Sequence, residues 1–131
     1  MLLIPTVFST ARPFLAHLPC VPAPSEEVFA VARVVWSEAR NQPEEGQRMI
    51  VQVIKNRAAK YKGTILETVR HGMVSKGRLD PKIVELVEDE MGKDVGSRYC
   101  HWIRLDKATD KKWVEYAKKQ DGVTIGSHFF F

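Results

Sequence analysis

One residue of this sequence, Glu38, is well placed by type and position to do acid–base chemistry. Val31, Val34 and Val35 form an apolar stripe at helical spacing, and Glu38 lies within about 60° of that stripe at about 100° per residue. It also falls near the predicted C-terminus of the helix, where the dipole disfavours a negative charge. Partial burial and the dipole both favour the protonated carboxyl group, the form that a general acid requires. Cleavage of a glycosidic bond is the reaction that most often uses such a group, because the leaving sugar oxygen must be protonated.

Glu38 also has a purely structural interpretation. Glutamates at helix ends, beside an apolar face, often bend out into solvent or pair with an arginine, for which Arg40 and Arg57 are available. Periodicity alone leaves both interpretations open.

The elements that must position Glu38 are mainly helical. Five helices are predicted, each beginning at a residue favourable at a helix N-terminus: Ser25, Pro43, Thr64, Asp80 and Asp110. The first is expected to run to about Arg40, and the stretches 98–105 and 123–131 have the composition of strands. We therefore predict a mainly α (α+β) fold over residues 25–131, with a small late β element.

The composition is that of one globular domain. The chain has 131 residues, of which 44% are hydrophobic and 27% charged, and this excludes a disordered chain, a collagen-like fibre and a disulfide scaffold. No run reaches the ~18 apolar residues that a membrane span requires. The net charge of +4 suits an acidic polymer, either nucleic acid or bacterial cell wall. Cys20 and Cys100 fit no zinc or redox motif, so two separate thiols are favoured over a disulfide.

The first 24 residues differ from the rest in containing five of the seven prolines. Their apolar opening is only partly like a signal peptide, because no positive charge precedes it and Pro5 and Arg12 interrupt it. We interpret residues 1–24 as an N-terminal arm that packs on its own domain or on a partner chain.

Four blocks of the sequence together resemble a known family. Residues 32–57, ARVVWSEARNQPEEGQRMIVQVIKNR, resemble the core motif of the cell-wall hydrolases typified by the spore cortex-lytic enzymes. Three later blocks resemble that family in the same order and spacing: GSRYCHW (96–102), KATDKKW (107–113) and VTIGSHFFF (123–131). The resemblance covers about residues 25–131.

The resemblance implies a lysozyme-like, mainly helical fold and an activity on peptidoglycan. The bond cleaved would join N-acetylmuramic acid to N-acetylglucosamine, members generally being lytic transglycosylases that need no metal or other cofactor. The catalytic acid/base of the family is the glutamate of its EAR motif, which is Glu38 in this sequence.

Two departures from the family pattern concern the substrate groove. The family often has R-G-E-P where this chain has Arg40 to Pro43, so that Gln42 replaces a second acid. The loop at 74–80 is shorter than usual and lacks a Q-F-S element. We therefore expect part of the sugar-binding groove to be altered.

Five further residues are candidates for substrate binding. Tyr99 and His101 are two apart and would share one face of a strand, where they could line a groove beside Glu38. Trp102, Asn56 and His128 complete the set. Each also has a structural interpretation: a core aromatic for the tyrosine and tryptophan, a rim residue for His101, and a capping residue for Asn56. No second catalytic carboxylate is evident, because Glu44, Glu45 and Asp80 are typical helix-start residues.

Two rival functions and two settings stay open at this point. The rivals are a basic, nucleic-acid-binding helical module and a weakly active or inactive structural virion protein of the same fold. Peptidoglycan is the favoured partner and nucleic acid is not expected. A compact wall-cleaving domain with an arm suggests a bacteriophage lysis or virion-associated enzyme, acting in the virion or host envelope, whose residues 1–24 dock on another virion protein. A secreted or wall-bound bacterial enzyme is the alternative.

Overall fold

The computed structural model describes residues 24–72 and 76–131. The expectations for the N-terminal arm, for Cys20 and for the start of the 74–80 loop concern residues outside these ranges.

Five helices form most of the described chain. Their bounds are α1 (Glu26–Ala39), α2 (Glu44–Lys60), α3 (Ile65–Gly72), α4 (Pro81–Met91) and α5 (Lys111–Lys118). The predicted caps are confirmed: Ser25 Oγ accepts from the backbone N–H of Val28 at 3.2 Å, and the carboxylates of Asp80 and Asp110 accept from the first turns of α4 and α5. Local polar signals therefore set where these helices begin.

Helix α1 packs against α2, α3 and α4. The interface consists of fully buried aliphatic side chains, since Val31, Val35, Ile50 and Val53 each have 0% exposed surface. The apolar stripe read from the sequence is thus the face that α1 buries, and this core fixes the helix that carries Glu38.

A small antiparallel sheet follows, with strands β1 (Trp102–Arg104), β2 (Val123–Ile125) and β3 (His128–Phe130) in the order β1-β3-β2. Trp102, Phe130 and Val123 are side by side in register and contact the helical core. Ile103 and Phe129 occupy the other face and form a second apolar cluster with α5. The predicted late β element is confirmed, although β1 is shorter than the stretch 98–105.

The chain entering β1 contains a β-bulge. The backbone N–H groups of Cys100 and His101 both donate to the carbonyl oxygen of Phe131, at 3.0 and 2.9 Å. One extra residue on this side reverses the alternation of side chains. The expectation that Tyr99 and His101 share a strand face is therefore wrong: Tyr99 packs on the helical core, and His101 stacks on Phe131 on the opposite face.

Within residues 24–72 and 76–131, none of the helices combines the length and the apolar character that crossing a membrane requires.

Candidate functional site

Glu38 lies in the last turn of α1, half-buried beside the buried Val34 and Val35. The indole Nε1 of Trp102 donates to Glu38 Oε2 at 3.4 Å. An indole N–H can only donate, so this contact orients the carboxyl group through Oε2, and Oε1 has no hydrogen-bond partner among the described residues. Among the residues that the structure describes, Glu38 forms no ion pair, so the predicted alternative of pairing with an arginine is not observed.

The sheet positions Trp102. Its strand partner is Phe130, which is fully buried, and the indole packs against the helical core. The contact with Glu38 joins residues 64 positions apart in sequence. The site therefore depends on how the sheet docks against α1.

The corner between α1 and α2 is fixed by two glutamine side chains. Gln47 Nε2 donates to the carbonyl oxygen of Ala39 at 2.9 Å, which satisfies the end of α1. Gln42 Oε1 accepts from the backbone N–H of Ser127 at 2.8 Å, in the turn between β2 and β3. Gly126 has a φ of 60°, and a Cβ there would overlap Gln42 Oε1. The residue that replaces the expected second acid thus connects the hairpin to the helices.

The segment 76–80 lies against α1 one turn before Glu38. A Cβ on Gly77 would overlap the Arg33 carbonyl oxygen and would come within 2.7 Å of Ser37 Oγ. The guanidinium groups of Arg78 and Arg40 lie 5.8 and 5.4 Å from the centre of the Trp36 ring. Two cations therefore flank the ring of Trp36, a residue of the same helix as Glu38.

Asn56 and Tyr99 are brought together on another side of α2. Asn56 Nδ2 donates to the carbonyl oxygens of Ser97 and Tyr99, both at 2.9 Å. Tyr99 lines an open cavity of about 550 Å³ together with Glu45, Met49 and Arg98. Asn56 thus positions the segment that leads to the cavity, and the substrate-binding roles of both residues stay predictions.

The two histidines occupy different environments. His128 has 0% exposed surface, neither ring nitrogen has a hydrogen-bond partner among the described residues, and burial lowers its pKa. His101 is half-buried, and burial, followed by the charges of Arg57 and Lys60, lowers its pKa. Contact of His128 with a substrate stays a prediction, and it would require the ring to be uncovered.

Three other carboxylates, those of Glu44, Asp89 and Glu90, are held in structural contacts. Arg48 bridges α2 and α4, donating to Glu44, Asp89 and the buried Glu90 at 2.6–3.1 Å. These hydrogen bonds lower the pKa of Asp89. The network borders a second open cavity, of about 720 Å³, whose lining does not include Glu38. Sequence reasoning missed the contacts of Arg48 with Asp89 and Glu90, because these partners are 41 and 42 positions away and leave no local signal.

Over the described ranges, no group of three or more histidine, cysteine, aspartate or glutamate side chains is arranged to hold a metal ion.

Comparison with known proteins identifies similar folds among solved structures. No protein-family model and no curated protein sequence matches the chain. The catalytic domain of the Bacillus cereus SleB protein matches it with a TM-score of 0.58 and 26% identity, covering 84% of this chain and 94% of that domain. The catalytic domain of SleB from Bacillus anthracis, a germination-specific lytic transglycosylase, matches with a TM-score of 0.58 and 25% identity, covering 84% and 98%. These similarities support the family resemblance noted in the sequence, and the chain has the mainly helical fold, with a small three-stranded sheet, of the SleB catalytic domains.

Proposed function

We propose that this protein cleaves the glycan strands of peptidoglycan between N-acetylmuramic acid and N-acetylglucosamine, as a lytic transglycosylase with Glu38 as its acid and base. The observation that carries the proposal is the half-buried Glu38 carboxyl group, held at Oε2 by the Trp102 indole. The likeness to two SleB catalytic domains, at 25–26% identity over 84% of the chain, supports it.

A single carboxyl group can serve both steps of this reaction. Protonated Glu38 donates its proton to the glycosidic oxygen as the bond from C1 of the muramic acid to that oxygen breaks. The 2-acetamido group of the same sugar stabilises the positive charge that develops at C1. The Glu38 carboxylate then takes the proton from the sugar's own 6-hydroxyl group, whose oxygen closes on C1. The products are a 1,6-anhydro-muramyl end and a free 4-hydroxyl group, and Glu38 regains its proton.

The surroundings of Glu38 suit this double role better than a two-carboxylate hydrolysis. Inverting and retaining glycosidases place two carboxyl groups on either side of the bond. Here Glu44 pairs with Arg48, and Asp80 caps α4, so both are engaged elsewhere. Trp102 holds Oε2 without competing for the proton, so we assign the transferred proton to Oε1.

The proposal places the protein at a bacterial cell wall. The finer settings, a phage particle, a host envelope or a secreted bacterial enzyme, stay predictions from the sequence, as does the docking of residues 1–24 on a virion protein. We expect the R-N-Q-P corner to change substrate preference. Its Gln42 replaces an acid of the family pattern, and its side chain is hydrogen-bonded to the hairpin turn.

The test is digestion of purified peptidoglycan with mass analysis of the products, using the parent protein and Glu38→Gln. The substitution keeps the size of the side chain and removes the transferable proton. Glu26→Gln, at the exposed start of the same helix, is the matched control. We expect anhydro-muramyl products from the parent and the control and none from Glu38→Gln.

Two outcomes would contradict the proposal. Products with ordinary reducing ends would make the reaction a hydrolysis and would require a second carboxylate. Absence of products from the parent protein would remove the enzymatic function altogether.

A further inference from the structure

Helix α5 carries two exposed aromatic side chains whose rings stack on each other. Trp113 is 38% exposed and Tyr116 is 52% exposed, and their rings lie 5.5 Å apart at 13° to each other. Both rings contact Phe131, at 5.5 and 6.3 Å, and His101 meets the edge of Trp113 at 5.8 Å. Because Phe131 is buried, the exposed pair rests on a fixed support. We call Trp113 and Tyr116 the α5 platform.

Positive charge borders the α5 platform. Lys112 lies one helical turn before Tyr116 and Lys119 lies nearly one turn after it, and both are exposed. Arg57 and Lys60, at the end of α2, are close enough to His101 to lower its pKa. The border is thus rich in cations that can meet an anionic partner.

The α5 platform is separate from Glu38. Trp102 contacts Glu38 from the face of the sheet that packs on the helices. His101 and Phe131, which support the platform, belong to the opposite side of the sheet. A glycan bound at Glu38 therefore does not by itself explain why these aromatic rings are exposed.

We propose that the α5 platform is a second glycan-binding surface, which holds a cell-wall strand outside the cleavage site. The inference rests on the proposed function for its choice of ligand. Flat aromatic surfaces stack on the apolar faces of sugar rings, and exposed aromatic patches rimmed by polar groups are typical of interaction sites. The bordering lysines would meet the carboxylates of the peptide stems.

Single-stranded nucleic acid also binds to aromatic and cationic surfaces, but the charge pattern favours the glycan. A nucleic-acid groove is continuously positive along the backbone it follows. On α5 the acidic Glu115 lies beside Lys119 on the helix surface, and Asp110 and Asp121 flank the helix, so the positive border is interrupted.

The experiment measures binding of the full chain to insoluble, purified peptidoglycan by sedimentation. All proteins in this experiment also carry Glu38→Gln, so that they do not cleave the peptidoglycan, and Glu38→Gln alone is the reference. Trp113→Ala and Tyr116→Ala are compared with Tyr61→Ala, which removes a 63% exposed aromatic ring outside the stacked pair. We expect the dissociation constant to rise about tenfold in the two platform variants, as for an aromatic anchor of an interface, and to be unchanged in the control. Equal binding by all variants would overturn the proposal.

A charge variant keeps the test decisive if Trp113→Ala fails to fold. Lys112→Glu with Lys119→Glu leaves the rings in place and reverses two exposed charges. We expect it to weaken binding and to reduce the dependence of binding on salt. Retention of parental binding and salt dependence by the charge variant and by Tyr116→Ala would refute the α5 platform. Tighter binding to a 20-nucleotide oligo-dT than to peptidoglycan, lost in the same variants, would replace the glycan by nucleic acid.

The inference and the proposed function fail differently. With native Glu38, the platform variants should lower the ratio of turnover on intact wall to turnover on short soluble glycan fragments. Binding that depends on the platform, in a protein that releases no products, would leave the second surface standing and remove the enzymatic proposal. If turnover depends on Glu38 but the platform variants leave that ratio unchanged, the enzymatic proposal stands and the second surface is refuted.

Discussion

The turn at Gly126 allows a quantitative test of how the hairpin is attached to the helices. Gly126 has a φ of 60°, and a Cβ added there would overlap Gln42 Oε1 and lie 2.8 Å from Pro43 Cδ. Gln42 Oε1 is the acceptor for the backbone N–H of Ser127. Gly126→Ala therefore strains the backbone, displaces the glutamine and leaves that N–H without its acceptor.

The cost can be built from these parts. Alanine in the left-handed region costs about 1 to 2 kcal/mol, and the stiffer unfolded chain offsets about 0.4 to 1 kcal/mol of this. Loss of the Ser127 hydrogen bond costs about 1 kcal/mol, and crowding of Pro43 costs about 1 kcal/mol more. We expect the free energy of unfolding to fall by about 2 to 3.5 kcal/mol.

Urea denaturation measures this change, and Gly96→Ala is the matched control. A Cβ at Gly96 has no atom within 4 Å, so that variant should equal or slightly exceed the parent in stability. In a Gln42→Ala background the displaced oxygen and its hydrogen bond are already absent, so Gly126→Ala should cost about 1 kcal/mol less there. The same cost in both backgrounds, or a cost below about 0.5 kcal/mol in the parent, would refute the reasoning.

Three further predictions follow from the site and its supports. Trp102→Phe keeps an aromatic ring but removes the N–H that holds Glu38, so turnover of peptidoglycan should fall about tenfold with an unchanged circular dichroism spectrum; parental turnover would contradict this. Asn56→Ala removes two hydrogen bonds to backbone carbonyls, so urea denaturation should show a loss of about 2 kcal/mol, and a change below about 0.5 kcal/mol would contradict it. Because burial holds the pKa of His128 below its ordinary value of 6.5, the unfolded chain takes up a proton first as the pH falls through 6.5, and stability is lost by up to about 1.4 kcal/mol per pH unit. His128→Leu should reduce this slope between pH 7.5 and 5.5, and an unchanged slope would show that the ring does not titrate in this way.

Features encoded by neighbouring residues could be predicted from the sequence. Ser25, Asp80 and Asp110 accept hydrogen bonds from the turns that follow them, so the starts of three helices are local events. The half-buried position of Glu38 follows from the period of a helix whose other residues on that face are apolar.

Features that depend on a distant partner could not be predicted. The bulge at Cys100 and His101 exists because both backbone N–H groups meet one carbonyl of Phe131, and a strand pattern contains no sign of that partner. The hydrogen bond between Gln42 and Ser127 joins residues 85 positions apart. It involves a glutamine at a position where the family pattern often has an acid.

The tryptophans show the same limit. Trp102 was predicted as a substrate-binding residue, and the structure adds a contact of its N–H with Glu38 that its own segment does not indicate. Trp113 is the most exposed of the three tryptophans, at 38%. The solvent exposure of an aromatic residue depends on which other segments pack over it, and the neighbouring sequence does not predict those segments.

The order of the strands has a consequence for how the site forms during synthesis. β3 is the central strand of the sheet but the last of the three in sequence, so β1 has no strand partner until β3 has been made. The four helices of the core are local in sequence and can associate earlier, whereas strand pairing between distant segments is slow. The Trp102 contact with Glu38 is therefore among the last to form. A nascent chain would carry its glutamate on a folded helix without an oriented carboxyl group, and the acid would become organised only when folding is complete.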